Sequence, residues 1–506
     1  MKQSICILML MLIVLLPACG QTPPKALPAS APHPVESTES LEEGYNPRFE
    51  AGDCWGLVPK SVSATCGYVV VPENRSRPWS EDNTVRLAVV ILRAPGVEYA
   101  QPPTFLLGGG PGQDVIGMFE DLFKNYRYLQ EDGFPPEEYP GHLQDMQQFV
   151  AVMDRIVADL QKREFVYFDQ RGAGYSKPSL KCHGEDWSEC RRRLLASGVD
   201  IAAYNTMENA ADVNDVRLAL GYNQINLQGG SYGTRLALEV MRQFPTIVRA
   251  SVLDGVAPPQ TDWAVEMVRL YDDALAVLFD HCREDPACDA AYPELGAVFY
   301  SLVERLNEHP VEVSVGDRTE TLSGDDLRDT VWNALFDAHK IRFLPMMIGE
   351  LNDGNSQVWG RLLEGSTQYD EPMAWGMHYT VECADRWAFE TPQDLVAASE
   401  GLPLAIREAV VREFADTFWI CEQWDVPPAP YVLHTPVYSD IPTLLLSGEF
   451  DPGTQPVFAE IVARTLSRHY NYVLPYRGHT DGFTGLCQSL VTSLFLDDPN
   501  HAPDTS

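Results

Sequence analysis

Ile225-Asn226-Leu227-Gln228-Gly229-Gly230-Ser231-Tyr232-Gly233 is the stretch that decides the fold. A short apolar run, Ile225–Leu227, leads into Gly-x-Ser-x-Gly, and a helical pattern follows from Thr234 to Phe244. Strand, sharp turn and helix form the context a nucleophile elbow requires. Glycines let the chain turn tightly enough to lift a serine hydroxyl above the end of a strand. The stretch therefore predicts a serine nucleophile at Ser231.

An activated serine needs a base, and the base needs an orienting acid. Downstream, the run Thr443–Leu446 is followed by Ser447-Gly448-Glu449-Phe450-Asp451-Pro452, and Tyr470–Leu474 by Arg477-Gly478-His479-Thr480. Both read as loops at the carboxyl end of a strand, where ligands gather in open α/β sheets. The order Ser231, Asp451, His479 is the order such elbows use, with Glu449 as a rival acid. Upstream, Thr104–Leu107 runs into Gly108-Gly109-Gly110-Pro111-Gly112, whose backbone can approach a ligand closely. The expected oxyanion donors are the N–H groups of Gly109 and Tyr232.

Working outward, apolar runs recur at Tyr68–Val71, Val85–Leu92, Thr104–Leu107, Phe165–Phe168, Ile225–Leu227, Ser251–Leu253, Thr443–Leu446 and Tyr470–Leu474. Helical patterns separate several of them. The expectation is an α/β chain with a mostly parallel, eight-stranded sheet. An insertion over 113–160, ending in a helix near Met146–Lys162, interrupts the pattern once. A longer segment, 258–436, interrupts it again and carries helical patterns at Trp263–Cys282, Leu295–Asn307, Leu327–Ala338 and Leu404–Phe418. We expect 46–257 and 437–498 to form the two parts of one core, with 258–436 as a helical cap domain.

Composition narrows the function. The chain has 506 residues, with 72 acids against 37 Lys and Arg and a formal charge of −35. That balance argues against binding to a nucleic-acid backbone. No pattern calls for a cofactor or metal: His281-Cys282 with Cys288 lacks the second close His/Cys pair a zinc site needs. Lys2 and the apolar run Ile5–Leu16 read as a signal peptide over 1–18. Leu16-Pro17-Ala18-Cys19 is similar to a bacterial lipobox, which predicts lipidation of Cys19, export to the cell envelope and a membrane anchor. Residues 19–45, rich in Pro, Ala, Ser and Glu, read as a disordered tether. In an oxidising compartment, Cys54 with Cys66, Cys182 with Cys190, and Cys282 with Cys288 are close disulfide candidates, and Cys383 with Cys421 is a longer-range one. Cys487 is left odd. Oligomeric state is not legible.

Three motifs together carry a resemblance over nearly the whole mature chain. They are Gly108–Gly112, Asp169-Gln170-Arg171-Gly172-Ala173-Gly174-Tyr175-Ser176, and Gly230-Ser231-Tyr232-Gly233. They resemble the proline iminopeptidase and tripeptidyl aminopeptidase family of α/β hydrolases. The family's first motif usually has His where this chain has Gly108. Thr380–Asp385 and Trp419–Trp424 are similar to the cap and C-terminal region of the secreted tripeptidyl aminopeptidase branch, where the cysteines are bridged. The resemblance implies an α/β-hydrolase fold and a peptide substrate entered from its N-terminus. A free N-terminal ammonium needs a carboxylate once desolvated, and Asp385, then Glu382, are the expected partners. Arg171 is expected to tie loops together through paired hydrogen bonds. An ester or amide hydrolase on small molecules, and a non-catalytic surface binding protein, are the alternatives.

Overall fold

The computed structural model describes residues 45–504, apart from 57, 60, 132, 134–141, 316–317, 357–358, 361–372 and 481–484. The signal peptide, Cys19, nearly all of the tether and the Cys487 side chain lie outside the described residues.

The strands are β1 (Arg48–Gly52), β2 (Ser63–Pro72), β3 (Thr84–Arg93), β4 (Thr104–Leu107), β5 (Phe165–Phe168), β6 (Ile225–Gly230), β7 (Val248–Asp254), β8 (Val311–Val315), β9 (Arg318–Leu322), β10 (Thr443–Gly448) and β11 (His469–Leu474). One sheet has the order β1-β2-β3-β5-β4-β6-β7-β10-β11, while β8 and β9 pair apart as a hairpin. From β5 to β11 every neighbour is parallel, and β1, β2 and β3 join antiparallel at one edge. All eight expected runs are strands of this sheet. The correction is a ninth strand, β1, whose sequence Arg-Phe-Glu-Ala-Gly is half exposed along its length. An edge strand needs no apolar run, so pattern alone passes over it.

Core side chains follow the two-residue period of a pleated sheet. Phe105, Leu107, Leu227, Leu253 and Leu445 pack on one face in one cluster with helices α3 (Trp187–Ala196), α4 (Thr206–Ala219) and α5 (Tyr232–Gln243). Leu106, Phe165 and Tyr167 pack on the other against α1 (Val115–Glu131) and α2 (His142–Asp159). Val252, Leu444 and Leu446 meet Val491 and Phe495 of the last helix, Leu486–Asp497. The sheet is thus covered on both sides.

Between β7 and β10 the chain is mostly helical and has its own apolar cluster, which reaches back to Phe450 and Phe458. Two expectations are corrected here. Trp263–Cys282 is not one helix: it breaks at Leu270 into Trp263–Arg269 and Tyr271–Glu284. The β8–β9 hairpin also falls in a segment read as helical; its strands alternate buried Val313 and Val315 with exposed polar residues. The helix expected at Leu404–Phe418 continues to Trp424.

Four disulfides join the four expected pairs: Cys54–Cys66, Cys182–Cys190, Cys282–Cys288 and Cys383–Cys421. The last ties the helix Trp375–Asp385 to the helix Leu404–Trp424. Arg171, fully buried, donates to both carboxylate oxygens of Asp212 at 2.8 and 2.7 Å. It also donates to the Pro72, Glu73 and Ala203 carbonyls, so one guanidinium ties the end of β2, the turn at Ala203 and the Asp212 side chain together.

Candidate active site

Ser231 sits between β6 and α5 with φ 53° and ψ −123°, a conformation L-residues seldom adopt. The flanking glycines explain how the turn is possible. A Cβ on Gly229 would lie 2.3 Å from the Gly233 carbonyl oxygen, and one on Gly233 would lie 2.1 Å from that of Leu107. Any larger residue at either position would push β4 or the start of α5 away. The Ser231 N–H donates to the Asp254 carbonyl at 2.9 Å, pinning the turn to the end of β7.

The loops after β4, β6, β10 and β11 all lie at the carboxyl edge of the parallel sheet. Asp451 follows β10 and His479 follows β11, and their side chains meet: His479 Nδ1 is 2.8 Å from Asp451 Oδ2. The other carboxylate oxygen, Oδ1, accepts from the backbone N–H groups of Gly453 and Thr454 at 2.9 and 2.8 Å. The Thr454 hydroxyl donates to Oδ2 at 2.6 Å and lies 3.0 Å from His479 Nδ1. Burial is the largest single influence on Asp451 and would raise its pKa. His479, the Thr454 hydroxyl and the backbone donors together outweigh it and hold the carboxyl below its ordinary range. The rival, Glu449, is engaged elsewhere: its carboxylate meets His281 Nε2 at 3.0 Å and accepts from the Tyr476 N–H.

His479 is placed from both sides. Its ring lies against Gly255, where a Cβ would come within 3.3 Å of Cε1, one residue past the carbonyl that holds Ser231. From the helical segment, the Phe336 carbonyl accepts the His479 N–H at 3.0 Å, and the Phe336 ring stands edge-on to the imidazole at 5.3 Å. Neither Thr454 nor Phe336 was singled out in the sequence. Thr454 left a trace, since Asp-Pro-Gly-Thr is a turn in which an Asp side chain bonds the following N–H groups. Phe336 left none, because it reaches the site only through tertiary packing.

The Gly108–Gly112 loop lies beside the serine. A Cβ on Gly109 would be 3.3 Å from Ser231 Cβ. The Gln170 side chain donates to the Gly108 carbonyl at 2.8 Å, and the Asp169 carboxylate accepts from Ile116 at the start of α1, so the Asp169–Ser176 motif braces both ends of the loop. Tyr232 opens α5, and as the first helical residue its N–H has no intrahelical acceptor. Its buried hydroxyl meets Thr206 and Asn209.

The two expected amine-binding acids are buried and already partnered. Asp385 accepts from the Thr206 N–H at 3.0 Å, where α4 begins, and burial pushes its pKa up. Glu382 pairs with Arg386 at 3.1 Å. Of the two, Asp385 retains a carboxylate oxygen, Oδ1, that is buried and has no hydrogen-bond partner among the described residues.

This chain belongs to the α/β-hydrolase fold family, whose profile matches residues 151–486, well over half of the chain. It is 23% identical to serine protease Hip1 of Mycobacterium tuberculosis over 440 residues, 77% of each chain. It is 26% identical to carboxylesterase B of Mycobacterium tuberculosis over 529 aligned positions, 93% of each chain. It is 27% identical to tripeptidyl aminopeptidase of Streptomyces coelicolor over 240 residues, 42% of this chain and 38% of that one. Coverage thus varies between relatives: a curated Escherichia coli hydrolase is matched over only about half, 53%, of its own length.

Proposed function

We propose that this chain is an exported serine hydrolase that releases residues from the N-termini of peptides. The observation that carries the chemistry is the meeting of Asp451 and His479 at the sheet edge that also holds Ser231 and the Gly109 backbone. Ser231 Oγ attacks the scissile carbonyl while His479 takes its proton. Asp451 holds the imidazole in the right tautomer and stabilises the imidazolium. The N–H groups of Gly109 and Tyr232 receive the oxyanion. His479 then protonates the leaving amine, which departs and leaves an acyl-Ser231. Water, deprotonated by His479, attacks the ester, and collapse frees the new carboxylate and the serine.

Residues 258–436 act as a cap domain that selects the substrate, since Phe336 within it touches His479. Asp385 Oδ1 is the carboxylate oxygen left for an incoming ammonium, with Glu382 as the second acid. Support for a peptide substrate comes from the relatives named serine protease and tripeptidyl aminopeptidase; carboxylesterase B, matched along most of both chains, supports the ester reading. Parallel assays separate them. Peptidyl arylamides with a free amine are expected to be cleaved at least tenfold faster than their N-acetylated forms, the factor that about 1.4 kcal/mol of lost ion pairing gives. Equal rates would overturn the exopeptidase reading, and cleavage of aryl esters alone would establish the esterase.

Among the described residues no helix is long and apolar enough to cross a membrane. The anchor we propose is lipid on Cys19, on the strength of the lipobox-like run Leu16-Pro17-Ala18-Cys19. Cys19→Ser is expected to move the protein from the membrane fraction to the soluble one; retention in the membrane fraction would refute lipid anchoring.

A further inference from the structure

The Gly109 N–H points at an acceptor already within the protein. It donates to the side-chain carbonyl of Gln113 at 3.1 Å. A backbone N–H can only donate, so the carboxamide presents Oε1 rather than its NH₂ group. The same oxygen lies 3.5 Å from the position a Gly109 Cβ would take, a point itself 3.3 Å from Ser231 Cβ. A neutral carbonyl oxygen thus occupies the donor beside the nucleophile.

The Gln113 backbone is held independently of its side chain. Gln113 pairs with Met373 in a short antiparallel bridge, and the Ala374 N–H donates to the Gly112 carbonyl at 2.9 Å. His378 Nδ1 lies 3.2 Å from the Pro111 carbonyl oxygen. The turn at Gly109–Gln113 is therefore docked on the start of the Trp375–Asp385 helix. The half-buried Gln113 side chain can leave by rotamer change while this docking stays in place.

We propose that the Gln113 carboxamide is a built-in plug of the oxyanion hole, which substrate must displace. The proposal rests on the reading of Ser231 and Gly109 given above. A ground-state carbonyl exchanges one neutral hydrogen bond for another and gains little. The oxyanion of the transition state accepts a charge-assisted bond, about twice as strong, so the exchange favours the reacting species. The plug weakens the binding of neutral carbonyl and phosphoryl compounds more than it slows the chemical step, and it makes the 373–378 segment a point from which the hole can be controlled.

The test is the saturation kinetics of labelling by an aryl phosphonate, whose P=O oxygen enters the hole. Gln113→Ala removes the acceptor, and Gln113→Met removes it while keeping the length of the side chain. In both, the phosphonate concentration for half-maximal labelling is expected to fall two- to tenfold, roughly the range one neutral hydrogen bond commands. Gln113→Glu, which puts a charged acceptor on the same N–H, is expected to raise it. An unchanged or raised value in both Ala and Met variants at wild-type melting temperature overturns the plug. Absence of label on Ser231 of the wild-type protein overturns the underlying site instead, so the two failures are distinguishable by mass spectrometry of the labelled peptide.

Discussion

Ser231→Ala is expected to keep the wild-type melting temperature and lose turnover by about a millionfold, the scale on which removing the nucleophile of such a unit acts. The folding half of that expectation follows from the turn itself. The Ser231 side chain does not cap α5, so the hydroxyl contributes nothing there. What holds the turn is backbone: the Ser231 N–H to Asp254, and the close approach of Gly233 to Leu107. Alanine keeps these bonds and carries the same Cβ at the same positive φ, so strain is unchanged. The catalytic half follows from acyl transfer, which has no route without the alkoxide. Thermal melting and arylamide turnover on one preparation check both, and residual turnover within a hundredfold of wild type would remove Ser231 from the chemistry.

How much of this was written in the sequence divides along a physical line. The elements that a local pattern encodes were legible. The buried parallel strands are short apolar runs, and the elbow shows itself because Gly229 and Gly233 are sterically compelled. Asp451 and His479 were legible because each follows a strand, and parallel strands deliver their following loops to one edge. What was not legible depends on surfaces meeting. β1 is polar and lies at an edge, where pairing rather than burial forms it. Phe336 reaches the site through a contact that no spacing along the chain announces, and Gln113, although only four residues from Gly109, turns back on it by a side-chain rotamer that the sequence does not state. The break at Leu270 is of the same kind. The periodic pattern runs on from Trp263 to Cys282, but Leu270 lets the second helix set its own direction, with the Tyr271 ring stacked on Trp332 at 3.8 Å. Asp385 marks the boundary. Its charge was readable, yet its use of one oxygen at the start of α4 was not.

The choice between the two acids near β10 gives the second large effect. Asp451→Asn is expected to lower kcat about ten-thousandfold, as loss of the orienting acid does in an equivalent triad. The amide keeps the shape, but an Asn that donates toward Nδ1 would select the wrong imidazole tautomer, and no negative charge remains to stabilise the imidazolium. Glu449→Gln is expected to stay within about threefold of wild type, because its half-exposed pairing with His281 is worth well under 1 kcal/mol. The reverse ranking would give the role to Glu449. The pH dependence follows with its sign. The Asp451 carboxyl lies below its ordinary range in the folded protein, so its ionised form is favoured by folding. That contribution is complete above the unfolded-state value, near 3.9, and is lost only as pH falls through the depressed folded one. At any pH where an imidazole is still neutral enough to act as a base, Asp451 is fully charged. The wild-type protein is therefore expected to keep this stabilisation at neutral pH and to lose it only in strong acid, below about pH 3.9, where acid unfolding should show the stability gap to the Asn variant closing.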